Sequence, residues 1–313
     1  MRQKDFEARH AALLTAIEDI LADRSPAPEA LPPLYRRLCQ CLALAEQRGY
    51  SPALTDYLRK LALDCHNLLY GAAPERPAVL RRWLLRDFPQ RVREEWRLLA
   101  LACLAFFGVA LAMGLLAWSD PNHAYGVMPP DKVEDMRAMY QPDRHAKGRD
   151  TGGDVLMFGF YIWNNVSIGF RTFAAGVAGG VPALLSLVFN GLHFGAVAAI
   201  LSADPATREP FWSFVITHAS FEVTGLLLSG VAGMRLGLTL IAPGRLRRGQ
   251  ALLLASRRVF PIVVGAALLT VVAAFFEGFW SAAPLPAAAK YAVGAVCWAA
   301  VIAYFLAVGR REG

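Results

Sequence analysis

Residues 98–118 read LLALACLAFFGVALAMGLLAW, a run without a single charge. At 1.5 Å per residue, about 20 apolar residues cross a bilayer's hydrocarbon core. In lipid the backbone must satisfy its own hydrogen bonds, so such a run is a helix or part of a closed barrel. Continuous apolarity without two-residue alternation selects the helix. The 313-residue chain is 56 % hydrophobic and 18 % charged, against about 45–50 % and about 25 % in soluble domains. That balance excludes a disordered chain, a coiled coil and a small disulfide scaffold. The expected fold class is all-α and polytopic.

Five further segments extend the pattern. They are 154–176, 181–201, 211–242, 259–280 and 288–308, which with 98–118 make about six transmembrane helices. GVAGGVP and SADPATREP separate the middle ones. A re-entrant pair over 154–201 would leave the same parity. Basic residues gather in three places: the Arg-rich 76–97 segment, the 245–258 loop (Arg245, Arg247, Arg248, Arg257, Arg258) and Arg310–Arg311. Lys and Arg concentrate on the cytoplasmic side of membranes. With both termini inside, every dense basic segment faces the cytoplasm, and 119–153 faces outward with no positive bias. The net charge of +7 is then an orientation signal, and nucleic acid is not an expected partner.

Residues 1–96 carry 15 of the 32 basic and 13 of the 25 acidic residues, an ordinary soluble composition. They form a cytoplasmic helical domain ahead of a transmembrane domain at 97–313. Leu13, Leu14, Ile17, Ile20 and Leu21 recur at helical spacing, SPAPEALPP interrupts, and Gly49 ends a second helix before a third over 50–70. Trp83, Phe88 and Trp96 among seven Arg form a basic juxtamembrane segment of the kind that lies on a membrane surface. No signal peptide is visible in MRQKDFEARH. Cys39, Cys41, Cys65, Cys103 and Cys297 lack metal or disulfide spacing and are read as apolar packing residues.

Polar groups at membrane depth are costly unless paired, on the order of 2.5–3.5 kcal/mol for a central charge on insertion scales. Asn164, Asn165, Asn190, His193, His218, Glu222 and Glu277 therefore define a candidate intramembrane site. His218 and Glu222 share one helix face at i,i+4, with Glu222 near the midplane and Arg171 available as a compensating charge. Such a pair can share a proton or ligate a metal, so His218 and Glu222 are weak metal candidates, with His193 or Glu277 as a third ligand. Mutual satisfaction that merely specifies helix packing explains the same residues. Gly191, Gly195, Gly225, Gly233 and Gly237 supply small surfaces for close helix approach, within one chain or across a homodimer.

These segments carry a resemblance. NNVSIGFRTFAAGVAGGVPALLSLVFNGLHFG, THASFEVTGLLLSGVAGMRLG and AAFFEGFW together resemble the stage II sporulation protein M family. The family's motifs fall on Asn165, on Asn190–Gly191 with Gly195, on His218 with Glu222 and Gly233–Gly237, and on Glu277. Ala219 stands where the family usually has Gly. The N-terminal LPPLYRRLCQCLALAEQRGYSPALTDYLRKLALDCHNLLYG resembles the non-sporulating, MoxR-associated branch. The resemblance implies an integral scaffold of a multi-protein cell-envelope complex in the bacterial inner membrane. It is associated with peptidoglycan remodelling or with MoxR-type AAA+ ATPases. The expected partners are the bilayer, a second copy of the chain and such an ATPase, with no cofactor and no catalytic residue. A transporter or channel using the Asn/His/Glu cluster, and an intramembrane metal-dependent hydrolase, are the alternatives.

Overall fold

The computed structural model describes residues 3–22, 30–70, 77–141 and 153–310. Twelve helices, and no strand, are present among the described residues. The chain divides into two compact units, Met1–Leu80 and Arg81–Gly313.

The first unit contains α1 (Gln3–Leu21), α2 (Leu31–Gln47) and α3 (Pro52–Tyr70). Their inward residues recur every three or four positions and meet in one core. Phe6, Ile17, Leu31, Leu38 and Leu58 are its largest fully buried members, with Cys41 and Cys65 packed among them as small apolar groups. Gly49 ends α2 in the left-handed region at φ +64°, and Tyr50 N–H returns to the Ala45 carbonyl. Gln3 ties α1 to the start of α3, donating to Ser51 Oγ at 2.9 Å and accepting from Ser51 N–H at 3.0 Å.

Helix α4 runs as Pro77–Arg82, a π turn Trp83–Asp87, and Phe88–Glu94, and the membrane unit begins within it at Arg81. It is followed by α5 (Trp96–Ser119), two short helices α6 (Asn122–Tyr125) and α7 (Pro130–Met139), and α8 (Asp154–Gly176). The rest is α9 (Val181–Ala203), α10 (Pro205–Ile241), α11 (Arg248–Ser281) and α12 (Ala287–Ala307). Five of these helices, α5, α9, α10, α11 and α12, are long and apolar enough to cross a membrane. Six were expected; the expected span at 154–176 forms α8, which is not among the five. That helix has 23 residues but is made less apolar by Asp154, Asn164, Asn165 and Arg171. It is nevertheless two-faced. Tyr161, Asn165, Gly169, Thr172 and Gly176 are buried at helical spacing, while Val155, Leu156, Phe160, Trp163 and Phe170 are exposed.

Three expected boundaries are corrected. The basic 245–258 loop is helical from Arg248 onward, because Ala251, Leu252 and Ala255 present one apolar face; Ala251 is buried, and Leu252 and Ala255 pack with Phe88, Val92 and Ile262. The polar turn at 203–210 contracts to Asp204, whose Oδ1 caps the new helix by accepting from Ala206 N–H at 2.9 Å. The 119–153 loop contains α6 and α7, and its residues 142–152 lie outside the described ones.

At 37 residues, α10 is the longest helix, about 55 Å at 1.5 Å per residue. It forms the axis of the unit, touching α5, α8, α9, α11 and α12. Close approach depends on glycine. A Cβ on Gly233 would lie 2.5 Å from the Phe173 carbonyl oxygen, and one on Gly191 2.5 Å from that of Phe106. A Cβ on Gly237 would collide with the Gly176 carbonyl and the Gly180 amide, and one on Gly195 with the Ala110 carbonyl. On Gly225 it would press on Thr270 and the Ala266 carbonyl. All five glycines of the sequence pattern thus seat against neighbouring helices of the same chain. The α8–α9 turn closes through Gly179 and Gly180, both at φ +86°.

The α4 segment packs on one end of this bundle. The Phe88 ring occupies the space that a side chain at Gly265 would need. Arg93 donates to the carbonyls of Phe305 (2.9 Å) and Val308 (2.8 Å), and Gln90 to that of Gly309 (2.8 Å), satisfying the C-terminal end of α12. Glu95, 1 % exposed, is held by Arg235, whose Nε lies 2.7 Å from Oε2. Arg258 Nε approaches Oε1 at 2.8 Å as an ion pair, off the angle of a hydrogen bond.

Candidate intramembrane polar site

The polar residues of the spans separate into two groups. Glu222 lies near the middle of α10, about 26 Å from its start at 1.5 Å per residue. His218 sits one turn earlier, and its Nε2 is 3.8 Å from Glu222 Oε2. Glu277 comes from α11, in the π turn Phe276–Ser281. A π turn adds a residue to the helical period and re-aims side chains, which is why such turns recur at functional sites. The ligand atoms of His218, Glu222 and Glu277 all lie within 4.8 Å of one another. Asn165 of α8 donates to Glu277 Oε2 at 3.1 Å, and Asn164 donates to Asn165 Oδ1 at 2.8 Å. Five of the seven expected site residues therefore meet where α8, α10 and α11 come together.

The other two do not join them. Asn190 donates to the Ser186 carbonyl of its own helix at 2.8 Å, and Ser186 Oγ pairs with Thr172 Oγ1 at 2.7 Å. This is a small packing bond between α8 and α9. His193 is not part of the His218–Glu222–Glu277 group. Arg171 is exposed on α8 and supplies no compensating charge to the cluster.

Four participants were missed by sequence reasoning. Ser281 Oγ lies 3.0 Å from His218 Nδ1, and the Ser281 carbonyl accepts from Lys290 Nζ at 2.6 Å. Thr217 Oγ1 donates to the Lys290 carbonyl at 3.3 Å. Lys290 had a signal, being the lone charge in the 288–308 run; Ser281 had none, since nothing local distinguishes a serine at a helix end. Tyr140, just past α7, is buried against Phe211 and Phe214, and the Phe214 ring packs in turn on His218. Burial raises the Tyr140 phenol above its usual range, and Glu277, Tyr161 and Glu222 push it further the same way.

A continuous polar network thus runs Lys290–Ser281–His218–Glu222–Glu277–Asn165–Asn164 through four helices. It can orient an imidazole, hold two carboxyl groups face to face, and share protons or a cation between them.

A multi-span α-helical membrane protein with an imidazole and two carboxyl groups gathered between its helices is the class that this architecture defines. The profile of the stage II sporulation protein M family matches residues 103–282, more than half of the chain, and the protein belongs to that family. Residues 4–71 match a separate domain of unknown function, DUF8413. An uncharacterized protein of Methanocaldococcus jannaschii, MJ0793, is 25 % identical over 75 residues, covering 24 % of this chain and 42 % of that protein. The chain thus aligns with less than half the length of that relative. No solved structure matches the chain.

Proposed function

We propose that the protein is a scaffold of a multi-protein cell-envelope complex in the bacterial inner membrane, of the MoxR-associated branch of its family. The supporting observation is the division into a helical unit with a complete apolar core of its own and a membrane unit. A scaffold needs this combination of an anchor and a water-soluble module. In this reading the first unit is cytoplasmic and recruits an AAA+ ATPase. Leu63, Leu68 and Tyr70 of α3, exposed and large, are available for contact. Both termini face the cytoplasm, as the positive-inside distribution supports. The five glycines are occupied within the chain, so self-association uses other surfaces.

Deleting residues 3–70 tests the proposal. The truncated protein is expected to insert and remain monodisperse, yet to lose co-purification with the ATPase. Undiminished recruitment, or substrate turnover by the purified intact protein, would count against a scaffold. The polar network favours a second reading, proton-coupled transport. That reading requires flux in proteoliposomes that falls with Glu222→Gln.

A further inference from the structure

We infer that His218, Glu222 and Glu277 bind a divalent transition-metal ion of the zinc type, with water completing its coordination. The scaffold reading does not require this site, and the inference goes beyond it. Zinc takes imidazole nitrogen and carboxylate oxygen at about 2.0–2.2 Å, so tetrahedral ligands stand about 3.3–3.5 Å apart. The three donors lie within 4.8 Å of one another, and small rotations of the two Glu side chains close the remainder.

The surroundings of each ligand point the same way. Metal-bound histidines hold their second ring nitrogen in a hydrogen bond that sets tautomer and orientation. Here Nδ1 is engaged by Ser281 Oγ at 3.0 Å, leaving Nε2 directed toward Glu222. Lys290 anchors the Ser281 backbone from α12. Asn165 holds Oε2 of Glu277, so Oε1 is available to a metal. The His218 side chain is 6 % exposed while that of Glu222 is 34 % exposed. The histidine is therefore fixed in packing, and Glu222 is the less enclosed of the two ligands.

Charge and donor type decide the occupant. Two carboxyl groups within 4.8 Å of each other at membrane depth would carry −2 only if a cation balanced them, and one dication does so. One nitrogen and two oxygens suit zinc and its transition-metal neighbours; calcium requires six to eight oxygens.

The test uses the intact protein in detergent. Metal content after size exclusion is measured by mass spectrometry. Chelator-treated protein is then titrated with ZnCl2 by calorimetry and by thermal melting. One zinc per chain and a zinc-dependent rise in melting temperature are expected. Glu222→Gln and Glu277→Gln, which keep side-chain shape, should abolish both effects. Asn165→Ala should weaken zinc binding by about 10–100-fold. CaCl2 should give no shift. Two results would overturn the inference: wild-type protein that neither carries nor binds zinc, or a Glu222→Gln/Glu277→Gln double variant that binds it equally. Wild-type titration decides the matter even where a variant fails to fold.

Discussion

The two units solve the same packing problem with different materials. In the first, large side chains fill the space between helices: Phe6, Ile17, Leu31, Leu38 and Leu58 are fully buried. Their removal from water drives folding, at roughly 25 cal/mol per Å² of apolar surface. In the membrane unit many large apolar side chains, Leu111, Phe160, Phe170, Phe189 and Phe260 among them, are exposed. Its interior sets large side chains such as Phe106, Leu187, Phe211, Leu228 and Ile262 beside glycine, alanine, serine and threonine, with one imidazole and its carboxyl partners. Lipid removes the hydrophobic gain from helix association, so close backbone contact and polar bonds take its place. Apolar bulk thus gathers mainly inside the first unit, whereas in the second it lies on both the inside and the outside, and small residues set the closest helix contacts.

Substitutions can break or sharpen this contrast. The largest effect is expected at Gly237→Leu. No side chain fits between α10 and the α8–α9 turn, so the monodisperse peak in size exclusion should vanish. Arg235→Met comes next. It leaves Glu95 buried with only the misaligned Arg258, a loss of about 3–5 kcal/mol. Adding Glu95→Gln should recover much of that loss, and a double-mutant cycle on thermal stability reads the coupling. Leu58→Ala in the first unit should cost about 2–5 kcal/mol through the cavity it opens, seen as faster amide exchange confined to α1–α3. Gly49→Ala is the counterpart of the glycine change. A Cβ there meets nothing within 4 Å, so only the left-handed backbone is penalised, about 1–2 kcal/mol.

The smallest effect is a pH dependence at His10. Burial, then Arg9 and Arg37, lower its pKa below 6.5. The unfolded chain therefore takes up a proton first as pH falls. Stability of the first unit should be level above the ordinary histidine pKa and decline as pH drops from there toward the lowered value. His10→Gln should flatten that decline in urea titrations at a series of pH values.

Much of the fold was legible in the sequence because membrane helices are specified locally. The runs at 98–118, 181–201 and 288–308 became α5, α9 and α12 with small boundary shifts. Arg248 to Arg258 misled because charge was read as loop, whereas the apolar face of Ala251, Leu252 and Ala255 makes the segment helical. The site was half legible. His218 and Glu222 meet by i,i+4 spacing within one helix, a local relation. Asn190 and His193 carry the same sequence signal as Asn165, a polar group at membrane depth. Depth says nothing of azimuth, and only the packing of α8, α9 and α10 separates them.

The uncharged run at 98–118 by itself determines that this chain enters a membrane as a helix, since an apolar run without two-residue alternation satisfies its backbone in lipid only in that way. The paired glycines, the π turn that aims Glu277, and Lys290 and Ser281 behind His218 were decided by tertiary structure. Each depends on which helix lies alongside another, and helix neighbours are set by contacts between residues far apart in the chain.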